Sequence, residues 1–183
     1  MKVLVTLFLF ISFLGNCQTS DPIYPPSEGK SVIYFVRSTG LGALMNIRYF
    51  DNGNYIGKFN GKNFIRYECE PGKRIFWIKA ENVDFVEAEL EANKIYIVET
   101  NATMGAFSAA ARFLLVDFKD EKQMKRILKV LKEKEGVTFT TEELKEDQLK
   151  MKDAISFGMK TVVDKRKRKK KIKYLKPDMN YTK

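Results

Sequence analysis

Short alternating runs of apolar and polar residues, each closed by turn residues, fill the chain from Ser31 to Asp117. Alternation with a period of two predicts strands, because successive side chains of a strand point to opposite faces. Asn52-Gly53 and Pro71-Gly72 predict tight reversals between runs. The runs are 31–37, 46–50, 55–59, 64–70, 74–80, 83–90, 95–100 and 112–117. We therefore predict a mainly β domain at residues 31–118, a small β-sandwich of seven or eight strands.

Two helices are predicted after the strands, in a helical extension at residues 119–164. The first shows an apolar stripe at helical spacing, formed by Met124, Ile127, Leu128 and Leu131. Thr140 and Glu143 have the spacing of a capping box, which predicts the start of the second. The stripe of the second helix comprises Leu144, Met151, Ile155 and Met159. Such a stripe packs on the sandwich, docks on a protein partner, or lies on a bilayer.

The first residues have the form of an export signal. Lys2 is followed by an apolar run from Val3 to Leu14, which is too short to span a bilayer as a helix. Residues 13–17 (FLGNC) resemble a lipobox, although Asn16 departs from the small residue usual before the cysteine. We therefore predict a signal peptide at residues 1–16, lipidation at Cys17, and a Pro-rich tether at residues 17–30. The alternative is an ordinary secretory leader, in which case Cys17 could pair with Cys69.

Nearly all of the net charge of +10 lies in the basic tail at residues 165–183, where ten Lys and Arg face one acid, giving +9. Eight of these cations are candidates for contact with an anionic surface: Lys165, Arg166, Lys167, Arg168, Lys169, Lys170, Lys171 and Lys173. A run of like charges repels itself, which predicts a disordered tail. The tail either only solubilises the chain or binds anionic lipid or an envelope polymer. Export argues against nucleic acid as the partner.

The sequence contains no histidine, which excludes Ser-His-Asp and Cys-His catalysis and imidazole metal sites. No cofactor, metal or catalytic residue is predicted. A glycan hydrolase needs only two carboxylates, but the candidate acids alternate with apolar residues, as on a solvated sheet face. They are Glu68, Glu70, Asp84, Glu87 and Glu89. Cys69 lies on the apolar face of its predicted strand, which favours a buried, inert thiol over a reactive one. Residues 101–111, rich in small side chains, suit either a ligand or partner surface or a flexible or sheet-edge connection.

An ordered set of segments resembles the bacterial lipoprotein domain of unknown function, family 2846, whose middle is similar to PEGA-type β domains. The segments are 32–37, 49–53, 56–57, Tyr67, 70–73, 95–96 and 114–117, and the resemblance covers residues 31–134. It implies a β-sandwich lipoprotein and assigns no catalytic residue. We predict a noncatalytic binding or scaffolding protein, lipid-anchored in the bacterial cell envelope at the outer membrane. The alternatives are an envelope glycan hydrolase and, for location, a secreted or periplasmic soluble protein.

Overall fold

The computed structural model describes residues 22–104 and 109–182. Nine strands and three helices form within these ranges. The strands are β1 (Ser31–Arg37), β2 (Ile47–Asp51), β3 (Asn54–Phe59), β4 (Asn63–Cys69), β5 (Gly72–Lys79), β6 (Val83–Leu90), β7 (Ile95–Met104), β8 (Ala109–Leu115) and β9 (Lys173–Leu175). The helices are α1 (Glu121–Glu133), α2 (Thr141–Lys150) and α3 (Lys152–Lys167).

The strands form two sheets, with orders β4-β1-β7-β8 and β3-β2-β5-β6-β9. Most neighbouring strands are antiparallel, but β1 pairs with β7 and β6 pairs with β9 in parallel. The sandwich therefore has two distinguishable ends. We call one the Ser31 end, where β1 begins and β4 finishes, and the other the Arg37 end, where β1 finishes and β4 begins.

The largest apolar cluster takes side chains from the inner faces of both sheets. Phe35 of β1 lies at its centre, with its ring 5.4 Å from those of Tyr49 and Phe76 and 5.8 Å from that of Phe113. All four side chains are completely or almost completely buried. Burial of large aromatic groups of this kind supplies most of the driving force for closing a small sandwich. The predictions of a mainly β fold and a sandwich are confirmed.

The helices cover the outer faces of the sheets. Helix α1 buries Ile127, Val130 and Leu131 against β1 and β4. On the other sheet, Val162 of α3 packs against a cluster that contains Trp77. A Cβ atom at Gly158 would lie only 2.5 Å from Trp77 Cη2, so glycine is what allows α3 to approach the indole ring.

The predicted second helix is two helices in the structure. Thr140 and Glu143 form the predicted capping box at the start of α2. The chain then bends at Met151, whose φ and ψ of −95° and 5° end α2 and begin α3. The predicted stripe packs on the protein's own sheet, where Leu144, Met151, Ile155 and Met159 surround the Trp77 cluster.

Side chains cover two sheet edges that would otherwise be free. At β8, the Asn82 amide accepts from Ala111 N (2.8 Å) and donates to Ala111 O (2.9 Å). At β3, the Gln148 amide accepts from Tyr55 N (2.6 Å) and donates to Gly53 O (2.9 Å). Each amide replaces the peptide group of a missing strand, which protects the edge from pairing with another chain. Residues 101–104 and 109–111 of the small-residue segment lie in β7 and β8, and β8 is a sheet edge.

The predicted tether is partly docked on the sandwich. Ile23 is buried against the α1 cluster, Tyr24 N donates to Tyr34 Oη (2.9 Å), and Pro25 O accepts from Arg66 (2.8 Å). Lys30 forms an ion pair with Glu70. The described part of the predicted tether therefore contacts the domain from Ile23 onwards.

The basic tail is also ordered, contrary to the prediction of disorder. Lys165, Arg166 and Lys167 form the last turn of α3, and Lys173 to Leu175 form β9 beside β6. The apolar residues that follow fix the end of the chain: Leu175 is buried in the main core, Met179 packs against that core, and Tyr181 N donates to Ile95 O (2.7 Å). Burial of these groups and pairing with β6 outweigh the repulsion among the cations.

Candidate functional site: a basic loop between α3 and β9

The eight candidate cations fall into two groups in the structure. Three contact the protein's own sheet: Arg166 Nη2 lies 2.7 Å from Glu87 Oε1, Lys173 Nζ lies 2.7 Å from Asp84 Oδ2, and Lys165 lies 5.5 Å above the Phe85 ring. The other five are exposed. We call these five the basic loop: Lys167, Arg168, Lys169, Lys170 and Lys171.

The acids on β6 explain where the loop is held. Asp84, Glu87 and Glu89, which the sequence predicted to lie on a solvated sheet face, are on β6, the strand next to β9. Besides the two ion pairs, Glu89 Oε2 accepts from Tyr174 Oη (2.6 Å). These contacts lie at or near the surface, where each contributes well under 1 kcal/mol. Together they set the position of the chain on either side of the basic loop.

A hydrogen-bonded turn gives the basic loop a defined shape. Lys169 N donates to Arg166 O (3.0 Å), and Lys170 N donates to Lys165 O (2.9 Å), the pattern that closes a helix with a left-handed residue. Lys169 is that residue, with φ of 51°. Glycine usually holds this position, because a side chain there costs about 1 kcal/mol or more. The cations also lie at the negative end of the α3 dipole, which partly offsets their mutual repulsion.

A shallow hollow of about 220 Å³ lies beside the loop. It is lined by Thr161, Asp164, Lys165, Arg168 and Lys170. The hollow therefore presents three cations and one carboxylate, a lining that suits a small anionic group. The cations were predictable from the sequence but their convergence was not, because only the turn at Lys169 brings Lys170 back towards Lys165.

A polar cleft of about 350 Å³ lies at the Ser31 end, and three acids, Asp51, Glu68 and Glu70, line it. Asp51 is completely buried there, paired with Arg74, and accepts from Tyr67 Oη (3.0 Å). Burial raises the pKa of the Asp51 carboxyl, while the charge of Arg74 and hydrogen bonds from Tyr67 and Arg74 oppose that shift. In the sequence Asp51 looked like a turn residue because it precedes Asn52-Gly53.

The remaining candidate residues of the cleft are engaged. Glu68 Oε2 lies 3.0 Å from Arg66 Nη2 and accepts from Ser27 N (3.1 Å), and Glu70 pairs with Lys30. Cys69 is a free, buried thiol whose pKa is raised to about 11, chiefly by burial. A thiol with that pKa carries almost no thiolate at neutral pH, in agreement with the predicted inert role.

Cys17 and the predicted signal peptide lie outside the described residues. Within residues 22–104 and 109–182, no helix is long and apolar enough to cross a bilayer, and no cluster of three or more acidic or cysteine side chains could hold a metal ion. No protein-family model and no curated protein matches the chain. The resemblance to family 2846 therefore stays a prediction.

Proposed function

We propose that this chain is a noncatalytic binding protein of the bacterial cell envelope, anchored by acylated Cys17, that contacts an anionic surface through its basic loop. The observation that carries this proposal is the set of five successive exposed cations on an ordered turn. The resemblance of residues 31–134 to family 2846, which implies a β-sandwich lipoprotein, supports the lipid anchor. We place the anchor at the outer membrane, with the domain on either face, as a further part of this proposal.

The charge balance of the β6–β9 region supports an external partner for the loop. The acids of β6 are already paired with Arg166, Lys173 and Tyr174. The five loop cations remain exposed to solvent. Near an anionic surface each such cation contributes about 1 kcal/mol before screening by salt. A strained left-handed backbone at Lys169, where glycine would be easier, also fits a position at which a charged side chain is useful.

The loop is best tested by substitution. Truncation after Asp164 would also remove β9, so loss of binding could come from an unfolded edge. One variant carries Gln at all five loop positions, and a matched control carries Gln at five exposed α1-region cations. The control positions are Lys119, Lys122, Lys125, Arg126 and Lys132. Both variants lose four Lys and one Arg, so they differ only in where the charge is lost.

Binding is measured by calorimetry in neutral detergent, with water-soluble short-chain phosphatidylglycerol and with polyphosphate as separate ligands. We expect the loop variant to bind at least about tenfold more weakly than the control, and 0.5 M salt to weaken wild-type binding similarly. The ligand that shows the difference distinguishes lipid from polymer as the partner. Equal affinity of the two variants for both ligands would refute a role of the loop.

Anchoring is tested separately in the native host. Labelled palmitate should enter the wild-type chain and be absent from Cys17→Ser. Equal label in both chains would place the acylation at another residue, and label in neither would favour the secreted or periplasmic soluble alternative. Either outcome would contradict the lipobox.

The second candidate function is the glycan hydrolase, and the Ser31-end cleft is where it would act. A buried carboxyl with a raised pKa, such as Asp51, is the type of group that serves as a general acid, and Glu70 lines the same cleft. Glycan cleavage by the wild-type protein that is lost in both Asp51→Asn and Glu70→Gln would support the hydrolase over the binding protein.

A further inference from the structure

An uncharged loop, Ser38 to Asn46, presents leucines to solvent at the Arg37 end. We call it the apolar loop. Its sequence is STGLGALMN, without a single ionisable side chain. Leu44 is 91% exposed and Leu41 is 52% exposed. Isolated exposed leucines are common in soluble proteins, so the exposure alone assigns no role.

A buried arginine fixes the conformation of the apolar loop. Arg37 is completely buried, and its guanidinium donates to three loop carbonyls: Leu41 O (2.6 Å), Gly42 O (2.5 Å) and Met45 O (3.0 Å). Burial disfavours the charged form and lowers the pKa of Arg37, and the three hydrogen bonds offset part of the lost solvation. The sandwich therefore uses a buried charge to hold this loop in one shape.

Two further contacts, at Ser38 and at Ala43, add to this constraint. Ser38 donates to the buried carboxylate of Glu99, which also accepts from Gln123 Nε2 of α1 (2.8 Å). Gly61 N, in the turn between β3 and β4, donates to Ala43 O (2.8 Å). The leucines are thus carried on an ordered backbone, so little conformational entropy is lost when they are buried by a partner.

The described N-terminal segment, followed back from Lys30 to Pro25, runs towards the same end. Going back from Lys30, Ser27 N donates to the Glu68 side chain of β4, and Pro25 O then accepts from the Arg66 side chain of the same strand. It therefore runs along β4 away from the Ser31 end. Arg66 is three residues from Asn63, which pairs with Arg37, and this separation is about 10 Å along a strand. Cys17 is five positions before Pro22 in the sequence, and a fully extended chain of that length spans at most about 18 Å, which is the reach available to an anchor at Cys17.

Cations lie at this end as well. Lys62 is in the turn beside the apolar loop, with its Cε 3.6 Å from the Cβ position of Gly40. Lys79 closes β5 at this end, and the neighbouring turn contributes the acid Glu81. Strand β9 runs parallel to β6, and β6 begins at the Arg37 end. The basic loop therefore leads into β9 from the direction of the Arg37 end. Apolar groups bordered by cations match the interface of an anionic bilayer.

We propose that the apolar loop inserts Leu41 and Leu44 into the interface of the bilayer that holds Cys17, so that the Arg37 end of the sandwich faces the membrane. The inference rests on the proposed anchoring of the chain. It adds an orientation: the Ser31-end cleft faces away from the bilayer, open to the surrounding space.

The test uses the full chain purified from host membranes and reconstituted in vesicles of phosphatidylethanolamine and phosphatidylglycerol. Leu44→Cys is labelled with an environment-sensitive nitrobenzoxadiazole group. Leu149→Cys, at an exposed leucine of α2 that is 63% exposed, is the matched control. Wild-type chain taken through the same labelling measures any background at Cys17 or Cys69. Flotation of the vesicles reports anchoring on the same samples.

We expect the Leu44 label to shift its emission to shorter wavelength and to be quenched by brominated lipid, while the Leu149 label shows neither change. Chains that float with the vesicles but whose Leu44 label behaves like the Leu149 label would refute the membrane contact and leave anchoring intact. Chains that do not float would refute the anchoring, and with it this orientation.

Discussion

The contact between Gly158 and Trp77 decides whether Gly158→Ala raises or lowers the free energy of unfolding. In an exposed helix, Gly→Ala stabilises a protein by about 1 kcal/mol. In this structure, a Cβ at position 158 would lie 2.5, 2.7 and 2.8 Å from three atoms of the Trp77 ring. The ring has no room to retreat, because it is completely buried and stacked on Phe50 with centroids 3.8 Å apart.

Overpacking of a core costs about 1–3 kcal/mol, and a clash with three atoms of a fixed ring belongs at the upper end. After subtracting the helix-propensity gain, we expect Gly158→Ala to lower the free energy of unfolding by about 2 kcal/mol. For a domain of this size the melting temperature falls by about 4–8 °C. With a urea m-value of about 2 kcal/mol per molar, the unfolding midpoint falls by about 1 M.

Urea unfolding followed by tryptophan fluorescence measures this directly, because Trp77 is the single tryptophan of the chain. Ser156→Ala is the matched control: Ser156 is an exposed residue of the same helix, and we expect a gain of about 0.5 kcal/mol. A Gly158→Ala variant that is as stable as wild type, or more stable, would refute the packing of α3 on Trp77.

Three further predictions concern the basic loop and the buried thiol. Lys169→Gly should raise the free energy of unfolding, measured in urea, by about 0.5–1 kcal/mol, because glycine adopts the φ of 51° without strain. Lys170→Gly is the control: it removes the same charge at a residue with an ordinary φ and should give no gain. Cys69 should resist iodoacetamide at pH 8 in the native protein and react once urea unfolds it; rapid native reaction would contradict its burial. In the folded protein the pKa of Cys69 is about 11, above the usual value of 9.0. The contribution of the protonated thiol to stability is therefore complete below pH 9 and is lost as the pH rises towards 11. Cys69→Ala should abolish this part of the pH dependence of the free energy of unfolding.

The strands were predictable because their information is local. Alternation and the turn residues Asn52-Gly53 and Pro71-Gly72 located the strands from β1 to β8, and the capping box located the start of α2. The bend at Met151 was not predictable, because Lys150 to Lys152 carry no helix breaker. The bend lets α2 reach the β3 edge through Gln148 while α3 crosses Trp77, and both requirements come from the sheet.

The tail was predicted incorrectly because charge was considered without its partners. The run of cations suggests repulsion, but the acids that pair with it lie about 80 residues earlier, at Asp84 and Glu87. Leu175 and Tyr181, after the run, were the available signal: apolar residues of this size need burial. The burial of Arg37 was equally unpredictable, because a charged residue at the end of a strand is common. Only the conformation of the loop shows the three carbonyl groups to which its guanidinium donates.

The place of β9 in the chain has a consequence for how the protein matures. Residues 173–181 pair with partners between Asp84 and Tyr96, all made roughly 85 positions earlier. During synthesis from the N-terminus, the side of β6 that β9 covers therefore stays bare until residues 173–175 have been made. The second sheet gains its fifth strand only after α3 and the basic loop have been made. A product that stops before residue 173 lacks this strand, which leaves the edge of β6 open to pairing with another chain.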